Sequence, residues 1–309
     1  MWMLHTLKNK ISTKTWLFVI CIALPVLASA QTENMLDQLD SGMAPTTDYT
    51  TATFKSTRVV NAQSVENLSE GVLDVRIDHR FGPVNDGFYG FYGLDAANTR
   101  FQFDYGIKNW LQVGIGRSSV PKSYGGNVKL KFLRQSTGKV NMPISLVYNL
   151  FTNVDALQYV GPRNNDFQYR LAYVHQLVLG RKFSENFSLE LIPTLIHTNL
   201  TALSTQKNDQ YAMGIAMRQK ISKRVSINLE YFYLYPTLSL TDVFTNSLSL
   251  GMDIETGGHV FQIFLTNCLT MNENDVITDR AESWLKGGIH LGFNISRVFT
   301  TYKPKHKPI

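Results

Sequence analysis

The chain has 309 residues, of which 44% are hydrophobic, 12% aromatic and only 17% charged, with a formal net charge of +6. Lys8, Lys10 and Lys14 supply three of those charges near the start and Lys303, Lys305 and Lys307 three more at the end. The body between them is close to neutral, which excludes the concentrated basic stripe of a nucleic-acid surface.

The basic start is followed by an apolar run at 17–27 and by Ala28-Ser29-Ala30, a small-x-small cleavage pattern. Residues 1–30 therefore read as a signal peptide, with Gln31 as the mature N-terminus. Of the two cysteines, Cys21 lies in that run, and Cys268 alone makes neither an intramolecular disulfide nor a structural zinc site. Residues 31–70 read as a periplasmic N-terminal segment or plug, with a short helix at 34–39 and a strand at 52–60. The basic tail spans 300–309.

Residues 71–299 alternate apolar and polar side chains at the two-residue period of a β-strand. Leu73, Val75, Ile77 and Phe81 oppose Asp74, Arg76, Asp78 and Arg80. Phe101, Phe103 and Tyr105 oppose Arg100, Gln102 and Asp104. Further strands follow around 111–116 and 128–132, the latter with Lys129 and Lys131 on its polar face, and around 144–150. The strand at 168–177 is expected to carry Arg170 on its polar face. Glu190, Arg218 and Glu230 mark the polar faces at 187–195, 211–220 and 225–231. In 247–267, Leu248, Leu250, Met252 and Ile254 oppose Ser249, Asp253 and Glu255, and Gly257-Gly258 forms a tight hairpin turn. A last strand runs through 289–296.

About twelve strands result. Most approach the nine to eleven residues that a tilted membrane strand needs, roughly the span of a bilayer. Long connections are expected at 82–98, 153–166, 199–209, 236–245 and 268–286. Short ones fall at 108–109, 181–186, 221–224 and 256–258, with middle-sized ones at 119–126 and 135–143. This asymmetry and the aromatics near strand ends match a transmembrane barrel with long loops outside and short turns in the periplasm. The fold class is all-β: an antiparallel transmembrane β-barrel of about twelve strands. A soluble sandwich or lipocalin-like barrel is the competing architecture.

The stretches RVVNAQSVENL, RIDHRFG, GIGRSS, KLKFLRQSTG with NMPISL, RKFSENFSLELIPTLIH, DIETGGHVFQ and GFNISRVF resemble the domain-of-unknown-function family 5777 of predicted β-barrel proteins. The resemblance implies a barrel in the outer membrane of a Gram-negative cell. It implies no activity, and no site residue carries over.

Asp74, Arg76, Asp78, Arg80, Arg100, Asp104, Lys129, Lys131, Arg170, Glu190, Arg218, Glu230, Asp253 and Glu255 are the expected lumen-lining residues. They make either a selectivity path or ion pairs that fill the interior. Phe88, Tyr89, Phe91 and Tyr92, interleaved with glycines, form a candidate ligand platform on an external loop. His79, His175, His197 and His259 fall on the outward face and His290 on the inward one, without metal-ligand spacing. No cofactor, metal or catalytic residue is expected. Neither G-x-S-x-G nor H-E-x-x-H occurs. The expected function is a narrow passive channel for ions or small solutes. The alternatives are a closed barrel serving as a scaffold or binding module for a periplasmic or surface partner, and an outer-membrane lipid hydrolase. Outer-membrane lipid is the expected environment, and the oligomeric state is open.

Overall fold

The computed structural model describes residues 46–157, 166–201, 207–236, 245–279 and 281–303. The signal segment, the helix expected at 34–39 and most of the basic tail lie outside the described residues. Twelve strands close into one antiparallel barrel. They are β1 (Val72–Pro83), β2 (Ala97–Lys108), β3 (Leu111–Ser119), β4 (Lys122–Leu133), β5 (Ser145–Asp155) and β6 (Leu171–Lys182), followed by β7 (Phe187–Thr198), β8 (Asp209–Lys220), β9 (Val225–Leu234), β10 (Leu248–Thr256), β11 (His259–Thr266) and β12 (His290–Thr300). Each strand pairs with its sequence neighbours, and β12 closes on β1 with Ile295 opposite Ile77 and Ser296 opposite Arg76.

Strand alternation sets the two surfaces. On β1, Asp74, Arg76, Asp78 and Arg80 are buried inside. On β2 and β3, Phe101 and Ile115 face outward and are 45% and 62% exposed. This outward band suits lipid, where a closed barrel leaves no sheet edge unpaired. Exposed aromatics flank it: Trp110, Phe132 and Phe183 at the turn side, Phe167, Tyr211 and Tyr233 at the loop side. At the β10–β11 turn, Thr256 pairs with His259 across two glycines at φ 41° and 132°. Side chains rarely adopt these angles, so the glycines are required.

Three expectations are corrected. The connection at 119–126 is a two-residue turn, Val120-Pro121, and β4 begins at Lys122. Ser119 pairs with Lys122 and Gly116 with Gly125, so the glycines expected in a loop are strand. Arg170 stands outside the wall: a 3-10 turn at Phe167–Arg170 precedes β6, and the guanidinium donates to the Leu157 carbonyl at 2.5 Å. The strand expected at 52–60 is absent. There the backbone makes one isolated bridge, between Arg58 and Gln63, and turns instead to side chains of the wall.

The interior also differs in character from the expected polar lumen. Val147 and Phe151 on β5, Val174 and Val178 on β6, Ile192 and Ile196 on β7, Ala212 and Ala216 on β8 and Phe232 on β9 form a buried apolar cluster inside the barrel. The apolar inward side chains thus gather on β5–β9, beside the buried charges Glu190, Arg218 and Glu230, while the rest of the inner wall is predominantly polar and charged.

Candidate functional site

Residues 53–68, ahead of β1, occupy this interior. Thr47–Tyr49 pairs with Ser136–Gly138 in the β4–β5 connection, at the turn side. Residues 53–68 then make a hairpin up into the lumen and back. Ser64 N–H donates to the Thr57 carbonyl at 2.9 Å and Val59 N–H to the Ala62 carbonyl at 2.9 Å. The hairpin has no sheet partner, so the wall satisfies its backbone.

Glu230 on β9 receives the tip. Its carboxylate accepts the N–H groups of Val60 (3.2 Å), Asn61 (2.9 Å) and Ala62 (2.8 Å), and the Asn61 side-chain amide at 2.7 Å. Successive backbone N–H groups converging on one carboxylate form an anion nest. Elsewhere on the wall the exchange reverses, and cations bind carbonyls of the hairpin and its stem. Lys129 Nζ donates to Thr57 (3.0 Å) and Glu66 (2.6 Å), Arg76 to Val60 (3.2 Å), and Arg218 to Ala52 (3.1 Å). Gln262 donates to Val59 at 2.6 Å, and Arg80 to the Asn61 side chain at 2.6 Å. Towards β5–β9, Phe54, Val59, Ala62 and Val65 join the buried cluster. A Cβ built on Gly180 would lie 2.6 Å from Val65 Cγ1, so β6 carries glycine where the hairpin packs.

The loop side closes inward as well. The β11–β12 connection carries a short helix, α1 (Glu273–Thr278), whose Val276 and Ile277 enter the same apolar cluster. Glu273 reaches Arg58 of the hairpin in a buried ion pair and Arg100 of β2 at 3.4 Å, while Gln63 donates to it at 3.0 Å. Burial alone would raise this carboxyl's pKa, but Arg58 and Arg100 overcome that and hold it below the ordinary value. Burial and neighbouring Asp279 push Asp275 up to about 8. Burial pushes Asp279 up to about 6. Cys268 is buried, its thiol within 3.3 Å of the Val276 carbonyl, and burial raises its pKa to about 12.

The family is now decided by sequence as well as shape. The model of the membrane-bound β-barrel domain family 5777 matches residues 54–299, spanning the hairpin and all twelve strands. The chain belongs to this family. No curated protein matches it. Among solved structures, the NanC porin is similar at 10% identity and a TM-score of 0.46, over 75% of this chain and 100% of that one. The KdgM porin is similar at 10% identity and a TM-score of 0.44, over 74% and 99%. An outer membrane channel from Pseudomonas putida F1 is similar at 13% identity and 0.47, over 76% and 98%. The barrel fold itself rests on the strand pairing described above.

Of the sequence-expected lumen residues, Asp74, Arg76, Asp78, Arg80, Arg100, Asp104, Lys129, Glu190, Arg218, Glu230 and Asp253 are buried inside. Lys131 and Glu255 sit half-buried near the turn-side mouth, Glu255 in an ion pair with Lys55. Phe88, Tyr89, Phe91 and Tyr92 are all exposed on the β1–β2 loop, Tyr89 at 99%. Sequence reasoning missed Arg58, Asn61, Gln63 and Glu273, which lie in segments without alternation.

The outward histidines make local pairs. His175 Nδ1 lies 2.7 Å from Tyr148 Oη, His197 Nδ1 lies 2.6 Å from an Asp209 oxygen, and His79 approaches Thr99 Oγ1 at 3.4 Å. None of these bonds involves a serine. Among the described residues no group of three or more His, Cys, Asp or Glu side chains converges as a metal site.

Proposed function

We propose that the protein is an outer-membrane barrel closed at rest, serving as a scaffold or binding module whose interactions are made at its two rims. One observation carries this reading: the hairpin at 53–68 bonds or packs against the wall from β1 round to β12, against charged and apolar side chains alike. Withdrawing it would expose Phe54, Val59, Val65 and Leu68, each contributing roughly 1.5–3 kcal/mol by burial. It would also strip the Glu230 carboxylate of its N–H donors at the tip, hydrogen bonds to a charged group worth roughly 1.5–3 kcal/mol each. The long-loop side is then the cell exterior and the turn side the periplasm.

The second reading is a gated narrow channel. The alternating charges of β1 and the two cavities at the turn-side mouth, of 340 and 480 Å³, favour it. A reversible lock separates the two. Val65 Cβ lies 3.3 Å from a Cβ built on Gly180. This is close to the span a disulfide bridges, about 3.5–4.5 Å. In planar bilayers, the Val65→Cys/Gly180→Cys double variant of a closed barrel is silent whether oxidised or reduced. Conductance that appears on reduction and vanishes on oxidation would overturn the closed-barrel reading in favour of gating.

A further inference from the structure

The stem of the hairpin divides the turn-side mouth into two cavities of opposite character. Both are lined by Ala52, Glu66, Asn67 and Leu68. The smaller, 340 Å³, adds Asp74 and Glu255 against a single cation, Lys55, which is already paired with Glu255. The larger, 480 Å³, adds Lys131 and Arg134 from the end of β4, with Asn109 and Trp110 from the β2–β3 turn. Glu66 is its one carboxylate; its Oε1 accepts the Thr53 and Phe54 N–H groups at 2.7 and 3.3 Å, and its charge attracts Lys131 without a direct contact.

Three donors face this larger cavity without full partners. The Lys131 side chain makes no hydrogen bond or ion pair among the described residues, although most interior cations of this barrel do. Arg134 uses Nε on the Thr50 carbonyl at 3.3 Å and stacks 4.9 Å over the Tyr49 ring, so both terminal nitrogens remain available. The Asn67 side-chain amide is buried, and neither its nitrogen nor its oxygen has a partner. A β-bulge between Lys131 and Leu133 interrupts the pairing with β5 at this point. Bulges bend a strand and re-aim its side chains, often beside binding sites.

We propose that this cavity binds a small organic anion. Its carboxylate or phosphate group sits between Lys131 and Arg134, with the Asn67 amide as a third donor, and its ring or apolar portion lies against Tyr49 and Trp110. Arginine beside lysine suits planar or tetrahedral oxyanions. The site joins the hairpin stem to the barrel wall, so an occupied cavity fastens the stem. The proposal goes beyond the closed-barrel reading and does not depend on whether the barrel conducts.

The test is isothermal titration calorimetry of the full chain in zwitterionic detergent, with benzoate, phenyl phosphate and the neutral benzyl alcohol as probes. Saturable binding of the two anions but not of the alcohol is expected. Lys131→Gln weakens binding by about tenfold or more, because a charge-assisted bond is lost. The variant folds, since the side chain it alters bonds nothing. Lys223→Gln, in the β8–β9 turn, binds as the unaltered chain does. Repeating the titration in nanodiscs with and without phosphatidylglycerol separates two sources of the anion. Competition by the anionic lipid that Lys131→Gln abolishes makes the ligand a headgroup phosphate, and its absence makes the ligand a free solute; both keep the anion site. Equal binding of benzoate by Lys131→Gln and the unaltered chain, equal binding of benzyl alcohol, or no saturable heat with any anion would overturn the proposal.

Discussion

The ion pair between Arg58 and Glu273 joins two segments 215 residues apart, one entering from the turn side and one from the loop side. Replacing Glu273 with Gln keeps the shape and removes the charge. Both carboxylate oxygens are engaged, by Arg58, Gln63 and Arg100, and both arginines are almost fully buried. Breaking a buried charge pair costs about 3–5 kcal/mol. Arg58 retains the Asn61 carbonyl at 3.0 Å and Arg100 retains Met271 at 2.6 Å, so the lower end applies. A loss of about 3 kcal/mol raises the open population about a hundredfold, at 1.4 kcal/mol per tenfold. Opening either segment alone breaks the pair. Hydrogen exchange should therefore accelerate together at Ser64 in the hairpin and at Val276 and Asp279 in α1, whose N–H groups are protected by bonds of 2.9, 3.0 and 2.8 Å. Arg58→Met with Glu273→Leu should recover much of the protection, since apolar replacement of a buried pair is often near neutral. Acceleration confined to α1, with Ser64 unchanged, would refute the interlock.

Three further outcomes follow from the same contacts. Asp275 and Asp279 are held above the ordinary carboxylate value, so the folded loop binds more protons than the unfolded chain. Their stabilisation is fully present below the usual carboxylate range and is lost as pH rises through about 6 and then about 8. Val276 exchange, corrected for its intrinsic rate, should therefore accelerate between these values, and Asp275→Asn should flatten the profile. Glu230→Gln puts an amide N–H₂ against the hairpin-tip donors and should loosen the hairpin by about 3 kcal/mol or more. Limited proteolysis should then cut within residues 53–68, whereas the unaltered chain resists. Gly180→Ala drives a methyl into Val65, at about 1–3 kcal/mol of overpacking, and Val65→Ala should rescue it in a denaturant-unfolding double-mutant cycle.

The wall was legible because one face of each strand meets lipid, which forces a two-residue period. That period located the buried charged residues of the strands and misplaced Arg170 among them, where a 3-10 turn takes the place of the expected strand. It missed the start of β4, since Gly125 and Gly126 have no side chains to show alternation and read as a loop. It also passed over Val147, Phe151, Val174 and Val178. Where both faces of a strand are apolar the alternation disappears, and these residues look like part of the outward band although they point inward. Phe88, Tyr89, Phe91 and Tyr92 of the loop at 87–93 are exposed, since its glycines and lack of period leave nothing to pair with a strand.

The hairpin was hidden for a different reason. Its segment carries no sheet period because its backbone is satisfied by side chains drawn from across the barrel: Glu230 at its tip, Lys129 on one flank and Gln262 on another. Partners so distant in sequence leave no local signature. The wall charges did leave one, and it permits two meanings, a row of ion-selecting groups or a socket for a polar backbone. On the closed-barrel proposal, the apolar side chains of the inner wall favour the socket. A water-filled path would leave Phe151, Ile192 and Phe232 wet, whereas in this chain they pack against Val59, Val65 and the α1 loop as a core. The charged and polar groups of the wall bind the hairpin's carbonyls and amides, and the apolar side chains of β5–β9 bury its hydrophobic ones, so the lumen complements both chemical halves of the same segment.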